Sequence, residues 1–393
     1  MSSVDLPVQR CYKAKDLEVF GVSDKEIIID RILIPHLFKS HADASIRKPT
    51  RIGFYSLKVN KKTGKRVYFA DKSQLRYLNV KNGHKYDLKV GYNPNIIWGQ
   101  DSVGLDDFLR WILENRTKFT IGRQLHSIYN LNTDFICYRG VLTKLMVTPY
   151  EKREDWMLIA VKIGGTIYFH QLRTDAKEDS DQNQPEICNL LSYCGHSFED
   201  MVCSEFNEVA GGGDSQLGSG DTGQFCCILR SRLKSHSLVY AAEMDCIEGK
   251  THLTDPLDKL RFIEVKTTGT IHSARQRETF YRFKAIKWWT QSHLGAVDSI
   301  LCGYRDSDQF VRNVERIPVK KLANERIHWS PHVCLNFLDS FLTCAKQCVI
   351  QEKVIYRIYC SPGLDITFTQ TQLPIEAFIP RWYLNESPPQ PLI

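Results

Sequence analysis

Hydrophobic and polar positions change period several times along this chain of 393 residues. In SLVYAAEMD, residues 237–245, side chains alternate between two faces, as on an extended strand. Leu238, Tyr240, Ala242 and Met244 make one apolar face, and Val239, Ala241, Glu243 and Asp245 share the other. LRFIEVKT, residues 260–267, repeats the pattern, with Ile263 and Val265 opposite Glu264 and Lys266. The same signal predicts a hairpin, 53–57 and 66–69 about a turn at 60–64, and a strand region over about 353–369. Residues 134–170 read as strand-like in DFICYRGVL, KLMVTPY, WMLIAVKI and TIYFHQL. Helical spacing at Leu105, Phe108, Leu109 and Ile112 predicts a helix over 105–115, and further helices are expected over about 185–206 and 273–294. Residues 173–184, RTDAKEDSDQNQ, read as a polar loop, and 211–223, GGGDSQLGSGDTG, as a flexible one. About 1–50 and 385–393 are less regular, and no repeat or linker divides the chain, so one domain over 1–393 is expected.

Composition narrows the classes without choosing among them. Hydrophobic residues at 42% and charged residues at 25% exclude collagen-like, coiled-coil and wholly disordered chains. The net charge, 52 Lys+Arg against 45 Asp+Glu, is +7, too small by itself to establish nucleic-acid binding. The thirteen cysteines include no C-x-x-C pair, and most, such as Cys302 and Cys334, sit in apolar runs. They read as core thiols in a reducing compartment, the nucleus, with the cytoplasm as a second location. The N-terminus has no secretory apolar region, and no run of 18 apolar residues exists, so no membrane partner is expected. His328 and His332 straddle Ser330-Pro331, which reads as a helix start rather than a zinc site. Gly218, Gly220 and Gly223 match G-x-G-x-x-G but lack the preceding strand of a dinucleotide fingerprint. Met244 stands where a phosphate-binding loop ending at Gly249-Lys250-Thr251 needs glycine, and Glu199 where a serine-hydrolase elbow does.

The chemistry concentrates in 237–291. If the two alternating strands are neighbours, Glu243, Asp245 and Glu264 converge beside Lys266. Hard oxygen ligands of this kind suit Mg²⁺ or Mn²⁺. Two such ions ~3.5–4 Å apart bind the attacking and leaving oxygens of phosphoryl displacement. Lys266 would lower the pKa of the attacking water or neutralise charge on the phosphorane. E-x-D followed by E-x-K is the constellation of the PD-(D/E)XK metal nucleases. The same spacing also occurs on solvated strand faces. The apolar opposite faces favour central strands, where charge needs compensation. The following helix, SARQRETFYRFKAIKWWTQSHL, places Phe280, Phe283, Lys287 and Gln291 at helical spacing and reads as a core helix with a basic solvated face.

Taken in order, the motifs resemble the DXO-type decapping exoribonucleases over roughly residues 50–385. They are YSL at Tyr55, LRYL at Leu75, Tyr138-Arg139-Gly140 before LTKLMVTPYE, GHSFE at Gly195 and FCCILRSRL at Phe225. EMDC at Glu243, IEVKT at Ile263, KWWTQS at Lys287 and GYRD at Gly303 complete the series. The resemblance implies a mixed α/β fold of two packed β-sheets with surrounding helices. It implies metal ligation by Glu199, Glu243, Asp245, Glu264 and the carbonyl of Val265, with Lys266 and Gln291 completing the catalytic set. It implies substrate binding by Arg66, Tyr138, Arg139, Gly140 and Cys226, besides Glu243, Lys266 and Gln291. Read from the residues alone, Arg66 ends Lys61-Lys62-Thr63-Gly64-Lys65-Arg66, which reads as a nuclear-import run or equally as a solvated hairpin turn, and Cys226 is a core thiol. Val103 replaces an acidic residue that touches substrate in relatives, which bears on cap preference.

The expected function is therefore a hydrolase of RNA 5′ ends using Mg²⁺ or Mn²⁺, two ions in all. It would release incomplete or NAD caps whole, remove 5′ triphosphates and trim 5′→3′ in RNA quality control. A 5′→3′ exoribonuclease is a second expected partner. The alternatives are a non-catalytic stabiliser of such an exoribonuclease, and a DNA nuclease.

Overall fold

The computed structural model describes residues 27–33, 44–60, 66–96, 104–119, 126–204, 221–249, 254–323, 328–363 and 365–387. Its strands form two sheets. The ten-stranded sheet contains β1 (Ile27–Leu33), β2 (Thr50–Asn60), β3 (Arg66–Phe69), β6 (Phe135–Tyr138), β7 (Trp156–Ile163) and β8 (Thr166–Leu172). It also contains β10 (Asp221–Leu233), β11 (His236–Glu243), β16 (Ile355–Cys360) and β17 (Asp365–Gln370). The seven-stranded sheet holds β4 (Tyr77–Leu78), β5 (Tyr86–Asp87), β9 (Cys203–Ser204), β12 (Cys246–Ile247), β13 (Phe262–Gly269), β14 (Ser299–Arg305) and β15 (Phe310–Pro318). The orders are β1-β17-β16-β7-β8-β6-β11-β10-β2-β3 and β5-β15-β14-β13-β12-β4-β9.

The alternation of the sequence explains the layering. Leu238, Tyr240 and Ala242 join Phe262, Ile300 and Cys302 in the core between the sheets. Val239 and Ala241, on the other face of β11, pack against α1 (Asp106–Glu114). Phe108, Leu109 and Ile112 of α1 are fully buried, each contributing about 1.5–3 kcal/mol. β11 is therefore apolar on both faces and central between β6 and β10. Helix α4 (Glu186–Val202) covers the far face of the seven-stranded sheet, because Cys194, Phe198 and Val202 recur every four residues and meet Ile263, Val265 and Leu301. The approach is close. A Cβ at Gly303 on β14 would lie 2.7 Å from Cζ of Phe198.

The hairpin β2–β3 and the helices α1 and α4 fall where the pattern placed them; the turn at 61–65 lies outside the described residues. Helix α7 (Pro331–Cys348) starts at Ser330-Pro331, as read. The long 273–294 helix is α5 (Ala274–Thr279), a π turn over Phe280–Ala285, and α6 (Ile286–Leu294). The π turn has no signature in apolar spacing.

Three expectations need correction. RGVLTKLMV is a helix, α2 (Arg139–Val147), not strand. Leu142, Leu145 and Met146 are fully buried on one stripe, a helical spacing that a run of apolar residues hides. The polar loop contains a helix, α3 (Asp175–Gln182). It has almost no apolar face; its signal was the cap, with Thr174 Oγ1 accepting from the Lys177 N–H at 3.2 Å and Asp175 in the first turn. Finally, the two carboxylate-bearing strands are not neighbours: β11 and β13 belong to different sheets. After Glu243 the chain leaves the first sheet and enters the second as β12, which pairs with β13 through Cys246–Ile263 and Ile247–Phe262. Asp245 lies in that crossing, beyond the end of β11. Residues 205–220, most of the glycine-rich loop, lie outside the described residues, while Gly223 belongs to β10.

Candidate active site

β6 runs parallel to both of its neighbours, β8 and β11, and ends at Tyr138, where the chain turns into α2. β8 and β11 continue past it, and the gap opened at their C-terminal ends is a cavity of about 390 Å³. Tyr55, Arg66, Tyr138, Gly140, Cys226 and Glu243 line it. A crevice at the carboxyl ends of parallel strands is where sheets commonly hold ligands, and the volume is that of an ordinary small-ligand pocket.

Behind Glu243 the sheet crossing brings the other acids together. Asp245 Oδ2 accepts the Val265 backbone N–H at 2.6 Å, a donor that β12 is too short to engage. Lys266 Nζ stands 2.7 Å from Glu264 Oε1 and 3.9 Å from Asp245 Oδ2. Arg139, first residue of α2, reaches Glu264 Oε2 at 3.2 Å and donates to the Gln291 carbonyl at 3.5 Å. Glu199, in the last turn of α4, is held by Arg76, whose other nitrogen donates to Asp200 Oδ1 at 2.9 Å.

The charges are unequally compensated. Burial opposes ionisation of Glu264, yet Lys266 and Arg139 overcome it and bring its carboxyl down to about 2. Asp245 moves the other way, to about 8, through burial and then the charges of Glu264 and Glu199. Burial and Asp245 raise Glu243 despite Arg76 and Arg139, and burial raises Glu199 despite Arg76. Lys266 is raised: burial works against the ammonium, but Glu264 and Asp245 outweigh it.

Three carboxylates pushed toward protonation, by burial first and by neighbouring acids second, are a site short of positive charge. That donor set, oxygen only, fits hard divalent cations. Among the described residues, no group of three or more His, Cys, Asp or Glu is placed, as the side chains stand, to hold a metal ion. Glu264 and Glu199 instead face protein cations, as ion-pair partners.

The structure thus gathers Glu199, Glu243, Asp245, Glu264, Val265, Lys266, Arg139 and Gln291 around one crossing. Arg66, Tyr138, Gly140 and Cys226 lie on the adjoining cavity wall. Arg66 Nε pairs with Asp107 Oδ2 at 2.9 Å, and Cys226 is buried opposite Glu243 in the β10–β11 register. Val103 lies outside the described residues. Sequence reasoning missed the roles of Arg76, Asp107 and Asp200. Arg76 stands in the LRYL motif; what links it to Glu199 is a tertiary contact 123 residues away. Lys144, Arg173 and Lys177 also line the cavity and were not singled out.

Residues 47–384 match the family of RAI1-like PD-(D/E)XK nucleases. The decapping and exoribonuclease protein of Homo sapiens is 33% identical over 352 residues, which are 86% of this chain and 85% of the relative. That of Xenopus laevis is 30% identical over 354 residues, 86% of each protein. Among solved structures, Scheffersomyces stipitis Rai1 superposes with a TM-score of 0.70 at 17% identity, covering 87% of this chain and 97% of that one. Candida albicans Rai1 in complex with pU5 and Mn²⁺ gives 0.68 at 20% identity, covering 85% and 92%. With a family match over residues 47–384 and a relative 33% identical over 86% of the chain, this chain belongs to the RAI1-like PD-(D/E)XK nuclease family.

Proposed function

We propose that this protein is a divalent-metal-dependent hydrolase of RNA 5′ ends, which releases incomplete or NAD caps as whole units, removes 5′ triphosphates and trims 5′→3′. The carrying observation is the under-compensated acid cluster of Glu199, Glu243 and Asp245 beside a nucleotide-sized cavity. The names of the curated relatives, decapping and exoribonuclease proteins, support the substrate class.

Glu199, Glu243, Asp245, Glu264 and the Val265 carbonyl would hold the Mg²⁺ or Mn²⁺ ions, which when bound supply Lewis acidity toward the attacking water and the leaving oxygen. Lys266 stays protonated between Glu264 and Asp245 and offsets charge on the phosphate in the transition state. Arg139, anchored on Glu264, and Gln291 position the scissile phosphate. Arg66, Tyr138, Gly140 and Cys226 shape the wall against which the terminal nucleotide rests. The twelve cysteines among the described residues are all free, which suits the reducing compartment expected, the nucleus with the cytoplasm beside it.

The test is a panel of RNAs with monophosphate, triphosphate, unmethylated-cap, methylated-cap and NAD 5′ ends in Mn²⁺, products identified by mass. Glu243→Ala with Asp245→Ala should lower every cleavage by about 10³-fold or more. Wild-type rates in that double mutant would sink the assignment. DNA cut as fast as RNA would move the chain to the DNA-nuclease alternative.

A further inference from the structure

The π turn and α6, Phe280 to Leu294, run toward the site, so that their earlier residues lie farther from it. Gln291 stands at their inner end, fixed by Arg139 on the Gln291 carbonyl. Lys287, one α-helical turn before Gln291, and Phe283, in the π turn, are both exposed. Phe283 is 43% exposed, the sole aromatic among the exposed large hydrophobic side chains of the described residues. It sits in the π turn, a feature that recurs at functional sites. Its neighbour Phe280 is buried, so the helix is not short of core contacts.

Phe283 is flanked by two cations. The guanidinium carbon of Arg282 lies 5.2 Å from the ring centroid and that of Arg153 5.7 Å. Neither arginine, nor Lys287, forms an ion pair with a described residue. Arg153 belongs to the turn before β7, next to Glu154, which lines the cavity. Burial opposes it, but Lys144, Lys177 and Lys287 together hold the Glu154 carboxyl below its usual value, so these cations close on one spot. The cavity mouth, Lys287 and the Arg153–Phe283–Arg282 group are therefore continuous. Positive charge interleaved with an exposed ring is the arrangement that holds single-stranded nucleic acid.

We propose that the RNA strand leaving the catalytic cavity runs outward over Lys287 and stacks a base on Phe283, with Arg153 and Arg282 on its phosphates. This rests on the reading of the cavity as an RNA 5′-end site. From Gln291 to Phe283 the helix rises about 12 Å, or three to four stacked nucleotides at ~3.4 Å each. The contact belongs to RNAs longer than about five nucleotides and is absent from a trinucleotide.

The experiment compares kcat/KM for a 5′-monophosphorylated 12-mer and a trinucleotide in Mn²⁺. Affinity for a hydrolysis-resistant phosphorothioate 12-mer is measured in parallel by fluorescence anisotropy. Phe283→Ala lowers the 12-mer to trinucleotide ratio, and the 12-mer affinity, by at least about fivefold, the change that ~1 kcal/mol of stacking corresponds to. Phe283→Trp restores both and Phe283→Leu does not. Arg153→Gln with Arg282→Gln reduces the slope of log affinity on log salt by about 1.4. A ratio and affinity equal to wild type in Phe283→Ala would overturn the proposal and leave the patch to a protein partner. If wild type binds the 12-mer but cuts neither RNA, the catalytic reading fails, while the Phe283 affinity loss still decides the track.

Discussion

Glu264 and Asp245 lie on either side of Lys266, yet they are held in opposite states. Glu264 has two protein cations, Lys266 at 2.7 Å and Arg139 at 3.2 Å, and its carboxyl drops to about 2. Asp245 has one backbone N–H and a distant share of Lys266, and rises to about 8. The protein neutralises the first charge with its own cations and leaves the second largely uncompensated.

Breaking the neutralised side should cost most. Glu264→Gln strands Lys266 and Arg139, and removing one partner of a buried ionic group costs about 3–5 kcal/mol. Urea unfolding of the metal-free protein measures it; a loss below about 1 kcal/mol would show that the two cations find other partners. Supplying the missing side is next. Mn²⁺ at about 100-fold over its dissociation constant should stabilise the protein by about 2.7 kcal/mol. A chelator should reverse the gain, and Glu243→Ala with Asp245→Ala should remove it. A melting temperature indifferent to Mn²⁺ would argue that these acids hold no metal.

The third effect has the opposite sign from the first and appears only as pH rises. A carboxyl raised in the folded state is bound to its proton more tightly there than in the unfolded chain. Asp245 therefore costs the metal-free protein stability as pH climbs from about 4 to 8, and Asn at 245 escapes that loss. Asp245→Asn should gain stability over wild type progressively as pH rises from about 4 to 8, with the full gain present at pH 9, read by urea unfolding across that range. Equal stabilities at pH 9 would contradict the raised carboxyl. Glu264 follows the other rule: its contribution is present above about 4.5 and fades as pH falls toward 2.

Much of this was legible in the chain, for a physical reason. Period-two alternation reports which side chains share a face, so the faces of 237–243 and 262–266 and the E-x-K pair on β13 are legible, although both faces are buried. The relation between strands is not a local property. Nothing in EMDC says that the chain changes sheet at Asp245, and the assumption of neighbouring strands failed there, although the convergence of carboxylates survived it. The Arg76–Glu199 pair was hidden in the same way. α2 was misread because it is buried on most of its surface, which erases the difference between the two periods. α3 was misread because it is polar almost throughout and is announced only by Thr174.

Gly303 touches neither substrate nor acid, yet the site inherits its dimensions from the hydrogen atom there. Phe198 presses on that glycine and Glu199 follows it on the same turn of α4. A methyl group at 303 would push the helix outward, and a displacement of 1 Å in a reacting constellation can cost about 10²-fold in rate. Gly303→Ala should then lower kcat/KM by up to about 10²-fold while the purified protein still unfolds cooperatively in urea. A variant survey that scored only solubility or abundance would pass it as harmless.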